Sequence, residues 1–126
     1  MKTENEIAKE VVNVCYKIHT TLGPGLLESV YEDILAYELE KRSLQFKRQQ
    51  PIALQYEKIF IKEAFRADLI VEDKVILELK SVEQILPVHS KQLLAYLKLT
   101  RLKLGLLVNF GAPLIKDGMT RLVNKL

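Results

Sequence analysis

Residues 65–80, FRADLIVEDKVILELK, constrain the fold of this 126-residue chain more than any other stretch. Two runs rich in large apolar and β-branched residues, 64–71 and 74–80, flank the polar pair Glu72-Asp73. That is the pattern of strand, tight turn and strand, although the turn lacks the glycine usual in short hairpins. Successive side chains of a strand point to opposite faces. Ala67, Leu69 and Val71 are therefore expected on one face, and Arg66, Asp68 and Ile70 on the other. On the second strand Val75, Leu77 and Leu79 oppose Ile76, Glu78 and Lys80. The hairpin thus gathers charges of both signs at one end of an apolar unit. A carboxylate is almost never buried unpaired, because desolvation penalises the charge heavily.

Those charges admit two readings. In the first, Arg66 or Lys80 makes a cross-strand salt bridge with Asp68 or Glu78, worth under about 1 kcal/mol if exposed. In the second, Asp68 and Glu78 are hard oxygen ligands for Mg²⁺ or Mn²⁺. The ion would compensate two like charges that otherwise raise one carboxylate's pKa. Lys80 would then orient or help activate an attacking water and balance a phosphate.

Around the hairpin, Ile7, Val11, Val14, Cys15, Ile18 and Leu22 fall on one helical face over residues 4–21. LGPG (22–25) breaks that helix. A second helix is expected over 26–43, with Leu27, Val30, Tyr31 and Ile34 as its main apolar face. PIALQYE (51–57) reads as a strand opened by proline, and KIFIKE either continues it or forms an irregular turn. Pro87 ends a loop, residues 88–102 form a third helix, and LGLLVNF (104–110) is a short buried strand. MTRLVNKL is a last edge strand or a frayed tail. The order α-α-β-β-β-α-β, with one more strand left open, predicts an α/β (α+β) fold whose mixed central sheet is flanked by helices. No repeat or linker is evident, so residues 1–126 are expected to form a single domain.

Hydrophobic content of 48% and charged content of 28% suit a soluble globular protein. No apolar run approaches the ~20 residues that span a bilayer, and the polar start MKTENEIAKE does not read as a secretory signal. The lone Cys15 excludes an internal disulfide and a multi-cysteine zinc site. A cytoplasmic protein without membrane association is expected. The charge is uneven. Residues 1–63 hold nine Lys/Arg against ten Asp/Glu, whereas from His89 onward there are seven basic residues and only Asp117 as acid. That bias suits either a polyanionic partner or ordinary solvated helix faces.

Glu28 sits in the first turn of the second helix and aligns with Glu32, Leu35 and Leu39 at ~100° per residue. It either complements the helix dipole or joins the carboxylates. On the third helix His89, Gln92 and Tyr96 share one side, bordered by Leu93 and Leu99. They either position a phosphate, water or base, or form an amphipathic boundary. Lys91, Lys98 and Arg101 lie on another side, open to a nucleic-acid backbone.

GPGLLESVYE, the hairpin with its continuation SVEQILPVHSKQLLAYLK, and LGLLVNFG together resemble the GxxExxY family of the PD-(D/E)XK nuclease superfamily. Gly25, Glu28 and Tyr31 match the naming motif, and the likeness covers roughly residues 5–125. The resemblance implies a restriction endonuclease-like αβββαβ core with an extra N-terminal helix. It implies that Asp68, Glu78 and Lys80 are the signature aspartate, acid and lysine, and that Glu28 is the helical acid completing a Mg²⁺ or Mn²⁺ site. By the same resemblance the Leu79 carbonyl is expected as a further metal ligand, Gln92 and Tyr96 match a Q-x-x-x-Y motif, and Arg66 and His89 are accessory candidates. Ala67 replaces the signature proline before the aspartate. The implied activity is metal-dependent hydrolysis of DNA or RNA phosphodiesters. The alternative is a non-catalytic nucleic-acid-binding or assembly module of the same fold. A homodimer or a protein partner would help so small a core to define its substrate.

Overall fold

The computed structural model describes residues 1–126. Helix α1 (Glu4–Leu22) starts at Thr3, whose hydroxyl accepts from the Glu6 N–H while the Glu6 carboxylate accepts from the Thr3 N–H. Together they satisfy two N–H groups at the helix start. The helix stops at Gly23, where φ is 73° and the N–H donates to the His19 carbonyl. Its buried stripe runs through Ile7, Val11, Val14, Cys15 and Ile18, and burial pushes the Cys15 thiol up to about 12. Helix α2 (Glu28–Lys41) buries Tyr31, Leu35 and Leu39 completely. The expected apolar face was different. Leu27 is 72% exposed and Val30 is also exposed, because the helix begins only at Glu28 and its row of Tyr31, Leu35 and Leu39 at i, i+4, i+8 meets the core.

Five strands form one sheet in the order β1-β2-β3-β4-β5. They are β1 (Phe46–Tyr56), β2 (Ile59–Val71), β3 (Val75–Lys80), β4 (Leu104–Asn109) and β5 (Met119–Val123). The β3–β4 pair is parallel and the others antiparallel. Helix α3 (Pro87–Thr100) provides the crossover between β3 and β4, with Pro87 in its first turn, where no N–H is missed. The last segment is an edge strand beside β4.

Three expectations shift here. Pro51 does not open a strand. It lies inside β1, opposite Arg66, and is tolerated because β1 is an edge strand. All of KIFIKE but its first residue belongs to β2, which is joined to β1 by the two-residue turn Glu57-Lys58. The β1–β2 ribbon then runs past the sheet as an arm, with Tyr56, Ile59, Phe60 and Ile61 exposed. At the second turn, Glu72 and Asp73 both have positive φ, 54° and 53°. The Lys74 N–H closes the turn on the Val71 carbonyl, so two acidic residues do the work of glycine.

The sheet is covered on both faces. Leu69, Val71, Leu77, Leu79, Leu106 and Val108 pack under α1 and α2. Ala67, Ile70, Ile76 and Leu107 pack against Leu93 and Leu97 of α3. Ala67 was expected beside Leu69 and Val71 but lies with Ile70. The alternation of faces fails between Ala67 and Ile70, and that failure builds the site.

Candidate active site

Strands β2 and β3 pair as a regular ladder only over Leu69–Leu77, Ile70–Ile76 and Val71–Val75. One step further, side chains replace the ladder. The Glu78 Oε2 accepts from the Asp68 backbone N–H at 2.7 Å, and the Asp68 Oδ2 accepts from the Leu79 N–H at 2.8 Å. Two carboxylates thus hold the strands together where they part, and each keeps one oxygen free of those contacts. The constraint also explains the loss of alternation, since period two holds only while the ladder is regular.

Charge in this gap is poorly compensated. Burial pushes the Glu78 carboxyl up to about 8, with the Asp68 charge next in importance and Glu28 a smaller contribution. Asp68 is likewise raised, first by burial and also by the Glu32 charge. Lys80, half-buried two residues past Glu78, pulls both the other way, but no Lys or Arg nitrogen lies within 4 Å of either carboxylate. The cross-strand salt bridge is therefore not formed. Arg66 is turned instead to Glu63, three residues back. It takes no part in the gap, contrary to its expected accessory place, because the shift of Ala67 onto the α3 face turns its neighbour away.

The other expected residues divide into a near and a far group. Glu28 is exposed at the α2 N-terminus and close enough for its charge to act on Glu78. Tyr31 is what places it. The Tyr31 hydroxyl donates to the Gly23 carbonyl at 2.6 Å and accepts from the Leu26 N–H at 3.2 Å, while its ring stacks on Phe110 at 4.3 Å. The loop leading into α2 is thereby pinned to the core. Glu28 also lines a cleft of about 670 Å³ between that loop and residues 81–83, which Asp68, Glu78 and Lys80 do not line. The floor of this cleft is fixed by Asn109, which exchanges hydrogen bonds with the Val82 N–H and carbonyl. Gly111 beside it tolerates no Cβ, which would sit 2.3 Å from the Val82 oxygen.

On α3, Tyr96 stacks on Phe65 with ring centroids 3.6 Å apart. Burial and then the Glu78 and Asp68 charges raise its hydroxyl pKa, so Tyr96 borders the gap. His89 accepts from the Leu86 N–H through Nδ1 and caps the helix; Gln92 is exposed. The buried row beside this trio is Leu93 and Leu97, whereas the expected Leu99 is 41% exposed. The Leu79 side chain is buried in the α1–α2 core.

The sequence alone did not single out three residues that orient Asp68. Gln49, opposite Asp68 on β1 with φ 47°, donates to the Glu32 Oε1 at 2.6 Å and the Asp68 Oδ1 at 3.4 Å. Glu32 is held in turn by Arg48 at 2.9 Å, and Arg48 also pairs with Asp33. The available signal was Glu32 itself, a carboxylate on the helix row that leads from Glu28 into the buried Leu35 and Leu39.

Asp68 and Glu78 are oxygen donors of the type that hard divalent cations take, and the raised Glu78 marks a charge excess that a cation would relieve. No three His, Cys, Asp or Glu side chains converge as a complete metal cage in this geometry. The family model of the PD-(D/E)XK nuclease superfamily matches residues 5–122. The chain belongs to the PD-(D/E)XK nuclease superfamily. Neither a curated protein nor a solved structure matches it. Helix α2, β1, β2, β3, α3 and β4 form the αβββαβ restriction endonuclease-like core, with α1 in front and β5 added at the edge. No helix is long and apolar enough to cross a membrane.

Proposed function

We propose that the protein is a divalent-metal-dependent nuclease that hydrolyses DNA or RNA phosphodiesters in the cytoplasm. The observation that carries this reading is the gap between β2 and β3. There two carboxyl groups lie without a salt-bridge partner, one of them pushed up to about 8, near a lysine and inside a nuclease-superfamily fold. Strained electrostatics of this kind cluster at functional sites. The roles follow from position. Asp68 and Glu78 border the gap, with the Glu78 Oε1 uncommitted and the Asp68 Oδ1 held only by the long Gln49 bond, the Leu79 carbonyl directly follows Glu78 in sequence, and Glu28 stands at the α2 N-terminus. These groups would hold a Mg²⁺ or Mn²⁺ ion, which supplies Lewis-acid polarisation of a phosphoryl oxygen and a more acidic water when bound. Lys80 places a positive charge where the attacked phosphate gains negative charge. Tyr96 closes the α3 side of the gap, and Gln49 keeps Asp68 oriented.

The match of Gly25, Glu28 and Tyr31 to the GxxExxY motif supports assignment to that branch, with Tyr31 anchoring and Glu28 delivered. The test is incubation of single- and double-stranded DNA and RNA with the protein and Mg²⁺ or Mn²⁺, alongside Asp68→Ala and Lys80→Ala. Cleavage by the wild type that both substitutions abolish supports the assignment; cleavage that survives both removes it. A second reading, a nucleic-acid-binding module that has kept the fold, is favoured by one feature, the lack of three convergent carboxylates. Oligonucleotide binding without Mn²⁺ binding in calorimetry would establish it.

A further inference from the structure

The excess of basic residues after His89 has a definite location. No Lys or Arg beyond that position makes a salt bridge, whereas Lys2, Lys17, Lys41, Lys47, Arg48 and Arg66 all do. Four of these free cations, Lys98, Arg101, Lys103 and Lys125, converge with Asn124 around a cleft of about 550 Å³ that no carboxylate and no apolar side chain lines.

The cleft is built rather than incidental. Arg101 and Lys125 have φ of 62° and 59°, a conformation rare for residues other than glycine. Asn124 ties the two segments together. Its backbone N–H donates to the Lys103 carbonyl at 2.8 Å, and its Nδ2 donates to the carbonyls of Leu102 at 3.2 Å and Leu97 at 3.4 Å. The end of α3, the start of β4 and the end of β5 are thus cross-linked, and the like charges are held together despite their repulsion.

Its position relates it to the carboxylates. Leu107 of β4 pairs with Glu78 in parallel register. Lys103 is four residues earlier, which at roughly 3.3 Å per residue is about 13 Å along the strand. Helix α3 runs from the gap toward the cleft, with Arg101 five residues or about 7.5 Å of helical rise beyond Tyr96, so the strand offset sets the spacing. A duplex advances about 3.4 Å per nucleotide along its axis, so this interval spans about four nucleotides.

We infer that the Lys98–Arg101–Lys103–Lys125 cleft is a second phosphate-binding subsite, which grips the nucleic-acid backbone about four nucleotides from the Asp68–Glu78 gap. The inference rests on the nuclease reading for its substrate class. It assigns the cleft affinity and register but no base preference, because phosphate contacts position without specifying sequence.

The test is fluorescence anisotropy of labelled 12-nucleotide single strands and 12-base-pair duplexes over a salt series, without divalent ions. It compares the full-length chain with a variant carrying Lys98→Gln, Arg101→Gln, Lys103→Gln and Lys125→Gln. The control variant carries Lys9→Gln and Lys116→Gln on the α1 face, and thermal melts verify folding. Each lost phosphate contact flattens the log–log salt slope by roughly 0.7–0.9. The expected result is a slope flatter by about 2–3 and affinity at least about tenfold weaker at low salt. The control variant should match the wild type, and the version with each lysine as arginine should keep the slope. An unchanged slope in the four-site variant overturns the inference. So does an equal loss in the control, or poly-glutamate of matched charge binding as tightly as the oligonucleotide. Hydrolysis of bis(p-nitrophenyl) phosphate, too short to reach the cleft, separates the two claims. Cleavage with an indifferent slope sinks the subsite alone, whereas a cleft-dependent slope without any cleavage keeps the subsite and sinks the nuclease.

Discussion

Glu38 and Glu78 are buried to nearly the same extent, 6% and 9% exposed, and have opposite fates. Glu38 on α2 meets Lys17 at 2.7 Å and Lys41 at 3.6 Å, and the Lys17 hydrogen bond holds its carboxyl below the usual range. Glu78 on β3 accepts one backbone N–H, faces Asp68, and is pushed up to about 8. Burial is the first cause of the rise at Glu78, whereas at Glu38 the Lys17 hydrogen bond outweighs it; the depth of the carboxyl and the presence of a fixed cation together set the charge state here. The chain has lysines and arginines enough to neutralise both. It places Lys17 and Lys41 on Glu38 and leaves Asp68 and Glu78 without a salt-bridge partner, which costs stability wherever Glu78 ionises.

The largest test of this contrast is catalytic. Asp68→Ala and Glu78→Gln should each lower metal-dependent cleavage roughly a thousandfold or more, while Glu38→Gln should stay within about twofold of the wild type, as nothing it touches reaches the gap. Initial rates at saturating Mn²⁺ decide it. Comparable losses at Glu38 and Glu78 would erase the distinction.

The same contrast shows what was legible in the sequence. The element order could be read because several elements carry a clean signal: the stripe Ile7–Ile18 of the leading helix, the breaker LGPG before α2, the apolar run at 104–110. The arm could not, because Ile59–Ala64 is exposed on both faces and burial imposes no alternation there. The position of Asp68 and Glu78 at one end of a hairpin was legible, as period two holds up to Leu69. Their mode of engagement was not. It depends on side chains replacing backbone bonds, which also moves Ala67 to the other face and Arg66 out of the site. Charge partners were the least readable. Lys17 and Glu38 are 21 residues apart and Gln49 and Asp68 are 19 apart, with no local pattern linking them.

Stability should separate the two glutamates by sign. The folded pKa of Glu78, about 8, lies above its unfolded value of 4.5, so the folded protein holds the extra proton between them. Its contribution is complete below 4.5 and is lost as pH rises through about 8. Glu78→Gln keeps an oxygen to accept the Asp68 N–H and never ionises. Without metal it should be more stable than the wild type by about 1–4 kcal/mol at pH 9, and the difference should vanish near pH 4.5. Saturating Mn²⁺ should reverse the order by stabilising only the carboxylate. Urea titrations at both pH values test this, and a Gln variant less stable at pH 9 would contradict the raised pKa.

Glu38 should behave oppositely and more weakly. Its folded pKa is below 4.5, so its contribution is present above that value and disappears as pH falls through the folded pKa. Glu38→Gln should lower Tm by about 2–4 °C at pH 7, with the difference closing under acid and shrinking in high salt.

The smallest effect falls on the residue that joins the two kinds of site. Gln49 donates at 2.6 Å to Glu32, which Arg48 neutralises, and at 3.4 Å to Asp68, which has no cation. It transmits orientation without charge, through a long and therefore weak second bond. Gln49→Leu should leave Tm within about 2 °C, because the side chain is exposed. It should lower kcat about three- to tenfold, because Asp68 then rests on the Leu79 N–H alone and samples orientations that miss the gap. Gln49→Glu should do worse than Gln49→Leu. It places a third negative charge against Glu32 and Asp68 and turns a donor into an acceptor. If the two variants were equally active, Gln49 would be filling space, and Asp68 would owe its orientation to β3.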